Sequence, residues 1–126
     1  MIEKKSEIDK VTAQQILHIQ IASYQIEANL INYPDLPPLR ETVEDIMTSP
    51  ETFLVYRDGE QIVGALSYEI LDETLDIGRL IVSPTHFRRG IARQLLDAVE
   101  TAEPQIHQLT VSTGADNAPA VRLYHK

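Results

Sequence analysis

The chain of 126 residues contains no cysteine. That removes disulfides, thiolate metal centres and any cysteine nucleophile in one step. It has no apolar run near the roughly 20 residues that cross a bilayer. The opening residues, MIEKKSEIDKV, lack the apolar stretch that follows the lysines of a signal peptide. A soluble, cytoplasmic protein is the expectation. Positive charge is scarce, with 11 Lys and Arg against 19 Asp and Glu and a formal net charge of −8. A field of that sign opposes nonspecific binding to nucleic acid or to an anionic membrane, so neither is an expected partner. An anionic ligand needs a local basic site.

The remainder is ordinary for a globular domain, at 43% hydrophobic and 24% charged residues, and long enough to bury a core without cross-links. One domain over residues 1–126 is expected, without internal repeats. Apolar residues from Ile16 to Leu30 give a mixed helical pattern, read as a helix from Ala13 to Ala28. Pro34, Pro37 and Pro38 then enforce a loop, and a short helix follows from Arg40 to Met47 with Glu41, Glu44 and Asp45 in its N-terminal half. TFLVYR, the turn signal Asp58-Gly59 and QIVGALSYEIL read as a β-hairpin, and LDIGRLIV, ended by Ser83-Pro84, as a third antiparallel strand. Arg89 to Ala102 is amphipathic and helical. Ile91, Leu95, Leu96, Ala98 and Val99 lie on its buried side, and Arg93, Asp97 and Glu100 lie outside. Gln108 to Ser112 forms a short strand whose crossover makes it parallel to the strand before the helix, and Asn117 caps a terminal helix. The class is α/β (α+β): a mixed, mostly antiparallel sheet flanked by helices.

The chemistry concentrates in LDIGRLIVSPTHFRRGIARQLL, where a strand runs through two arginines and a glycine into a helix. A helix N-terminus offers unpaired amides and a partial positive charge to a phosphate. Gly90 clears a side chain where backbone and ligand would meet, Ala92 keeps the first turn slim, and Arg88, Arg89 and Arg93 supply cations in an acidic chain. The bland alternative for these arginines is an exposed basic cluster.

At these residues the chain resembles the GNAT superfamily of N-acetyltransferases. The family's signature is Gln or Arg, two variable positions, Gly, one variable position, then Gly or Ala, and the window here is Phe87, Arg88, Arg89, Gly90, Ile91, Ala92. Phe87 departs from the family's polar residue, which leaves backbone contacts unaffected. Leu80 to Pro84 resembles the family's strand ending, and Asn117, Ala120, Leu123 and Tyr124 resemble its second cofactor motif. The resemblance covers Thr52 to Lys126, and the N-terminal helices by order only.

It implies a sheet that splays beyond the third of these strands to admit acyl-CoA, with the backbone of Leu80, Ile81 and Val82 on the pantetheine and acyl carbonyl. It places the pyrophosphate on the amides from Arg88 through Gly90, Ile91 and Ala92 to Arg93. Acetyl-CoA is the implied cosubstrate, and no metal is expected. The acceptor is a small-molecule or peptide amine that attacks directly in a ternary complex. Tyr124 is the implied general acid, against the alternative of an aromatic packed on the sheet. Asp76 stands where many relatives carry a general base; read by strand alternation it shares a face with Gly78 and Leu80, with Glu69 and Glu73 as rivals and a solvated charge as the bland reading. Asn117 orients the thioester, or only caps its helix. His86 and His107 are read as surface residues without a ligand-spaced partner, and Tyr24, Glu27 and Tyr33 as acceptor-pocket candidates. The family's final two-stranded hairpin has no counterpart after Tyr124. The expectation is an incomplete domain, or a partner subunit, as in a homodimer, that supplies the missing edge. A noncatalytic acyl-CoA sensor and a purely structural interaction domain are the competing readings.

Overall fold

The computed structural model describes residues 1–31 and 41–111. Strand β1 (Ile2–Lys5) leads into helix α1 (Lys10–Ile31), a short helix α2 (Val43–Met47), strands β2 (Thr52–Asp58), β3 (Gln61–Leu71) and β4 (Thr74–Val82), helix α3 (Ile91–Ala102) and strand β5 (Gln108–Val111). Among the described residues the five strands form one sheet in the order β1-β2-β3-β4-β5. β1 to β4 pair antiparallel, and β4 with β5 parallel. The mixed α/β architecture is the one expected. The strand expected from Gln108 is found over Gln108–Val111, parallel as its helical crossover requires, and Ser112 lies outside the described residues.

β1 was not expected. Ile2 is the single apolar residue of IEKK, so no alternation announces a strand. The ladder to β2 and charge pairs hold it: Glu3 with Arg57, Lys4 with Glu103 at 3.2 Å, and the Met1 ammonium donating to the Arg57 carbonyl at 3.1 Å. α1 starts earlier than Ala13, because Asp9 caps it: its carboxylate accepts from the Thr12 amide at 2.8 Å, and its carbonyl accepts from Ala13 at 2.9 Å. No glycine or proline interrupts the 22 residues that follow. α2 is shorter than Arg40 to Met47. It begins after Thr42, whose hydroxyl accepts from the Asp45 amide while the Asp45 carboxylate accepts from the Thr42 amide, a reciprocal capping box.

The sheet buries both faces. Ile8 just before α1, Ala13, Ile16, Ile19 and Tyr24 of α1 and Ile46 of α2 pack onto Phe53, Val55, Ile62, Ala65 and Ile81. Ile91, Leu95, Leu96 and Val99 of α3 pack onto Leu54, Val63, Leu66, Tyr68, Leu75 and Ile77 of the other face. Gly64 sets the height of α3, since a Cβ there would lie 2.8 Å from Ile91 Cγ2.

Candidate active site

β4 carries the decisive irregularity. Tyr68 pairs with Ile77, but the next residue of β3, Ser67, pairs with Arg79, so Gly78 is an extra residue in the ladder. Leu75 and Ile77 face α3, and after the bulge so do Leu80 and Val82, while Arg79 and Ile81 face α1 and α2. The expectation that Asp76, Gly78 and Leu80 share one face is therefore corrected. Period-two alternation assigns side chains only while the pairing stays in register, and one inserted residue sends Leu80 to the opposite side. Asp76 lies on the α1 side of β4, opposite its neighbours Leu75 and Ile77, and its Oδ1 accepts from Thr110 Oγ1 at 2.8 Å.

The pairing of β4 with β5 runs from Thr74↔Gln108 to Ile77↔Val111. Among the described residues, Gly78 to Val82 have a strand partner only on the β3 side. Beyond β4 a 3-10 turn at Pro84–His86 redirects the chain, and α3 begins at Ile91, two residues later than expected. Arg88 has φ +66° and Gly90 has φ +75°, so the turn passes twice through left-handed backbone, which only glycine adopts without a steric cost. No side chain caps the first turn of α3, and the first helical bond is Gln94 to the Gly90 carbonyl at 3.0 Å. Arg88, Arg89 and Gly90 are exposed, Ile91 is buried against the sheet and Ala92 is half-buried. Arg93 is exposed and stands 3.6 Å from Asp97.

His86 is not the unpartnered surface residue that its loop position suggests. Its side chain is 14% exposed and its Nε2 lies 3.0 Å from Asp58 Oδ2, while its Nδ1 meets Thr85 Oγ1 at 2.8 Å. It ties the β2–β3 turn to the turn after β4. His107 is exposed as expected, 3.8 Å from Glu73. Among the described residues no three His, Asp or Glu side chains gather as a metal site. Tyr24 of α1 is buried in the core cluster between the helix and the sheet. Tyr33, Asn117 and Tyr124 lie outside the described residues.

Sequence reasoning missed a buried charge cluster on the α1 side of the bulge. Arg79, 6% exposed, donates through Nη1 to Glu51 Oε1 at 2.7 Å and to Ser67 Oγ at 3.2 Å. Its Nε donates to Gln20 Oε1 at 3.1 Å and Glu41 Oε1 at 3.2 Å, and its Nη2 to Glu41 Oε2. Its guanidinium stands 5.2 Å from the centre of the Phe53 ring. The available signal was Gln20, a polar residue in phase with Ala13, Ile16 and Tyr24 on the buried stripe of α1, which calls for a polar partner across the interface.

The fold is shared with N-acetyltransferases of known structure. The chain matches the N-acetyltransferase PaiA from Thermoplasma acidophilum, solved in complex with coenzyme A, over 99% of its own length and 87% of that chain, at a TM-score of 0.72 and 15% identity. It matches the ribosomal-protein-S18-alanine N-acetyltransferase of Escherichia coli over 98% of its length and 74% of that chain, at a TM-score of 0.70 and 15% identity. Identities at that level show a shared fold. The Acetyltransferase (GNAT) family model matches residues 13–126, and the chain belongs to that family. A curated relative, UPF0157 protein YqkA of Bacillus subtilis (strain 168), is 39% identical over 124 residues. Those residues are 98% of this chain and 36% of that protein, so the chain spans about a third of its relative's length.

Proposed function

We propose that this chain binds acetyl-CoA along β4 beyond Ile77 and transfers the acetyl group to a primary amine. The observation that carries the reading is the turn at the end of β4, left-handed at Arg88 and Gly90, which leads into a helix start that no side chain caps. Among the described residues the backbone of Gly78 to Val82 is paired on the β3 side alone, and a strand edge is a template for an extended ligand arm. The backbone of Leu80, Ile81 and Val82 takes the pantetheine and the acyl carbonyl. The amides of the turn from Arg88 to Arg93 take the pyrophosphate, where the helix dipole and the arginines favour negative charge.

The reaction needs a neutral amine, a polarised thioester carbonyl and a proton for the leaving thiolate. Asp76 relieves the incoming ammonium of one proton, directly or through a water. The amine nitrogen bonds to the carbonyl carbon, and the carbon–sulfur bond breaks. The second nitrogen proton is lost as the amide forms, and Tyr124 gives a proton to the thiolate, so one hydrogen remains on the amide nitrogen. A phenol with an ordinary pKa of about 10 holds that proton at neutral pH. Asn117 orients the thioester. The acceptor is a small molecule or a peptide with a free amine, and the cytoplasm is the setting. No helix among the described residues is long and apolar enough to cross a membrane.

Thermal melting with acetyl-CoA tests the binding step: ligand at about 100 times its Kd adds about 2.7 kcal/mol to stability, and no shift in melting temperature overturns the reading. Thiol release across a panel of primary amines tests the transfer. Tyr124→Phe is expected to lower kcat by 10²-fold or so while leaving the acetyl-CoA-induced shift in place. Cofactor binding with no thiol release to any amine would mark a binding module without turnover.

A further inference from the structure

The geometry points to Glu51 as the residue that holds the reacting nitrogen of a cationic primary-amine acceptor, an inference that rests on the proposed acetyl transfer and assigns its acceptor anchor. Glu51 precedes β2, and its carboxylate sits directly over the bulge of β4: a Cβ built on Gly78 would lie 1.9 Å from Glu51 Oε2. Its two oxygens differ. Oε1 accepts from Arg79 Nη1 at 2.7 Å, Ser49 Oγ at 3.1 Å and Ser67 Oγ at 3.2 Å. Oε2 accepts no hydrogen bond from the described residues. Glu41, the other carboxylate on Arg79, has both oxygens engaged, Oε1 with Gln20 and Arg79 and Oε2 with Arg79.

The charge count runs the same way. One guanidinium faces two carboxylates, so among the described residues the cluster keeps one negative charge in excess. The Glu51 side chain is 16% exposed, open enough to be reached and too enclosed for full hydration. A carboxylate oxygen in that position has an unmet demand for a donor. A primary ammonium supplies three donors and the opposite charge. The place fits the chemistry, because Gly78 lies between Asp76 on the same face and the Leu80 to Val82 backbone. A nitrogen held at Oε2 by one N–H stands over the strand where its other protons and its lone pair are used. Oε1 cannot turn away to share this task without breaking the Arg79, Ser49 and Ser67 bonds, so Oε2 stays aimed.

The test is a steady-state comparison with three probes: 1,4-diaminobutane, lysine amide and a peptide with a free amino terminus, each against saturating acetyl-CoA. Glu51→Gln keeps the shape and removes the charge. It is expected to raise KM for the amine at least tenfold with a much smaller change in kcat and in the acetyl-CoA melting shift. Glu41→Gln takes a carboxylate from the same arginine and serves as the structural comparison, with KM expected to stay within threefold. Should Glu51→Gln not fold, Glu51→Asp keeps the charge and withdraws it by one carbon, and an intermediate rise in KM is expected. Equal KM changes in the Glu51 and Glu41 variants, or none in Glu51→Gln, overturn the anchor while transfer by the unaltered protein still stands. No transfer by the unaltered protein to any of the probes overturns the proposed function and this inference together.

Discussion

The two faces of the sheet are built from different chemistry. The α3 face is apolar across its middle: Ile91, Leu95, Leu96 and Val99 meet Leu54, Leu66, Leu75 and Ile77, and its buried polar contact sits at the rim, where Tyr68 donates to Glu103 Oε2 at 2.8 Å. The α1 face carries a guanidinium, two carboxylates, an amide and a hydroxyl in the middle of its contact. Desolvating such a cluster offsets much of its attraction, and apolar residues of similar volume would pack there with equal or greater stability. The face that is costlier to build is the one over which Glu51 sits at the bulge. The apolar face fixes where α3 and its first turn sit.

The comparison breaks first at Arg79. Arg79→Met leaves Glu41 and Glu51 facing each other without a cation, and urea denaturation is expected to show a loss of about 3–5 kcal/mol. The lower end is favoured because Glu41 is 26% exposed. Adding Glu41→Gln and Glu51→Gln to that variant is expected to restore more than half of the loss. No recovery would mean that the cluster is needed for stability itself. On the other face, Leu95→Ala opens a cavity in a position with no exposure and is expected to cost about 3 kcal/mol, with no charge change able to recover it. The smallest effect is at the rim. Tyr68→Phe removes one hydrogen bond to a carboxylate and is expected to cost about 1–2 kcal/mol near neutral pH.

That last loss carries a pH signature. The Tyr68 hydroxyl first, then Gln105 and Lys4, hold the Glu103 carboxyl below its ordinary 4.5. A depressed folded pKa means stability that is complete above the unfolded value and lost as pH falls through the folded one. The difference between the wild-type protein and Tyr68→Phe should therefore shrink below pH 4.5. Burial first, and Glu103 second, push the Tyr68 phenol above its ordinary 10.0. Wild-type stability is accordingly expected to fall in alkali past that value, and the phenylalanine variant to lack this component. Equal slopes for the two proteins at both ends would remove Tyr68 and Glu103 from the account.

Legibility in the sequence followed burial pattern. α3 was readable because Ile91, Leu95, Leu96 and Val99 recur at helical spacing with Arg93, Asp97 and Glu100 outside. The β2–β3 hairpin was readable from Asp58-Gly59 between two β-rich runs, and Gly59 takes φ +67° as such a turn requires. α1 was blurred because Thr12, Gln20 and Ser23 are buried on its inner stripe, and β1 because its single apolar residue gives no period. Of the expected site, the turn from Arg88 to Arg93 was legible as a motif. Arg79, Glu41 and Glu51 were not, because they come from three segments 10 to 38 residues apart, and charges at such separations look like solvated surface until the chain folds.

By itself the sequence determined the local pieces: a cysteine-free acidic chain, the order of its helices and strands from α1 to β5, and a glycine turn aimed into a helix. Each of these depends on neighbours within a few residues, where backbone geometry and side-chain period act directly. The tertiary structure alone decided that Gly78 is an extra residue in β4, that Leu80 and Arg79 thereby face opposite layers, and that Glu51 comes to rest above the bulge. Those facts depend on which strand pairs with which in what register, and a register is a property of two distant segments at once.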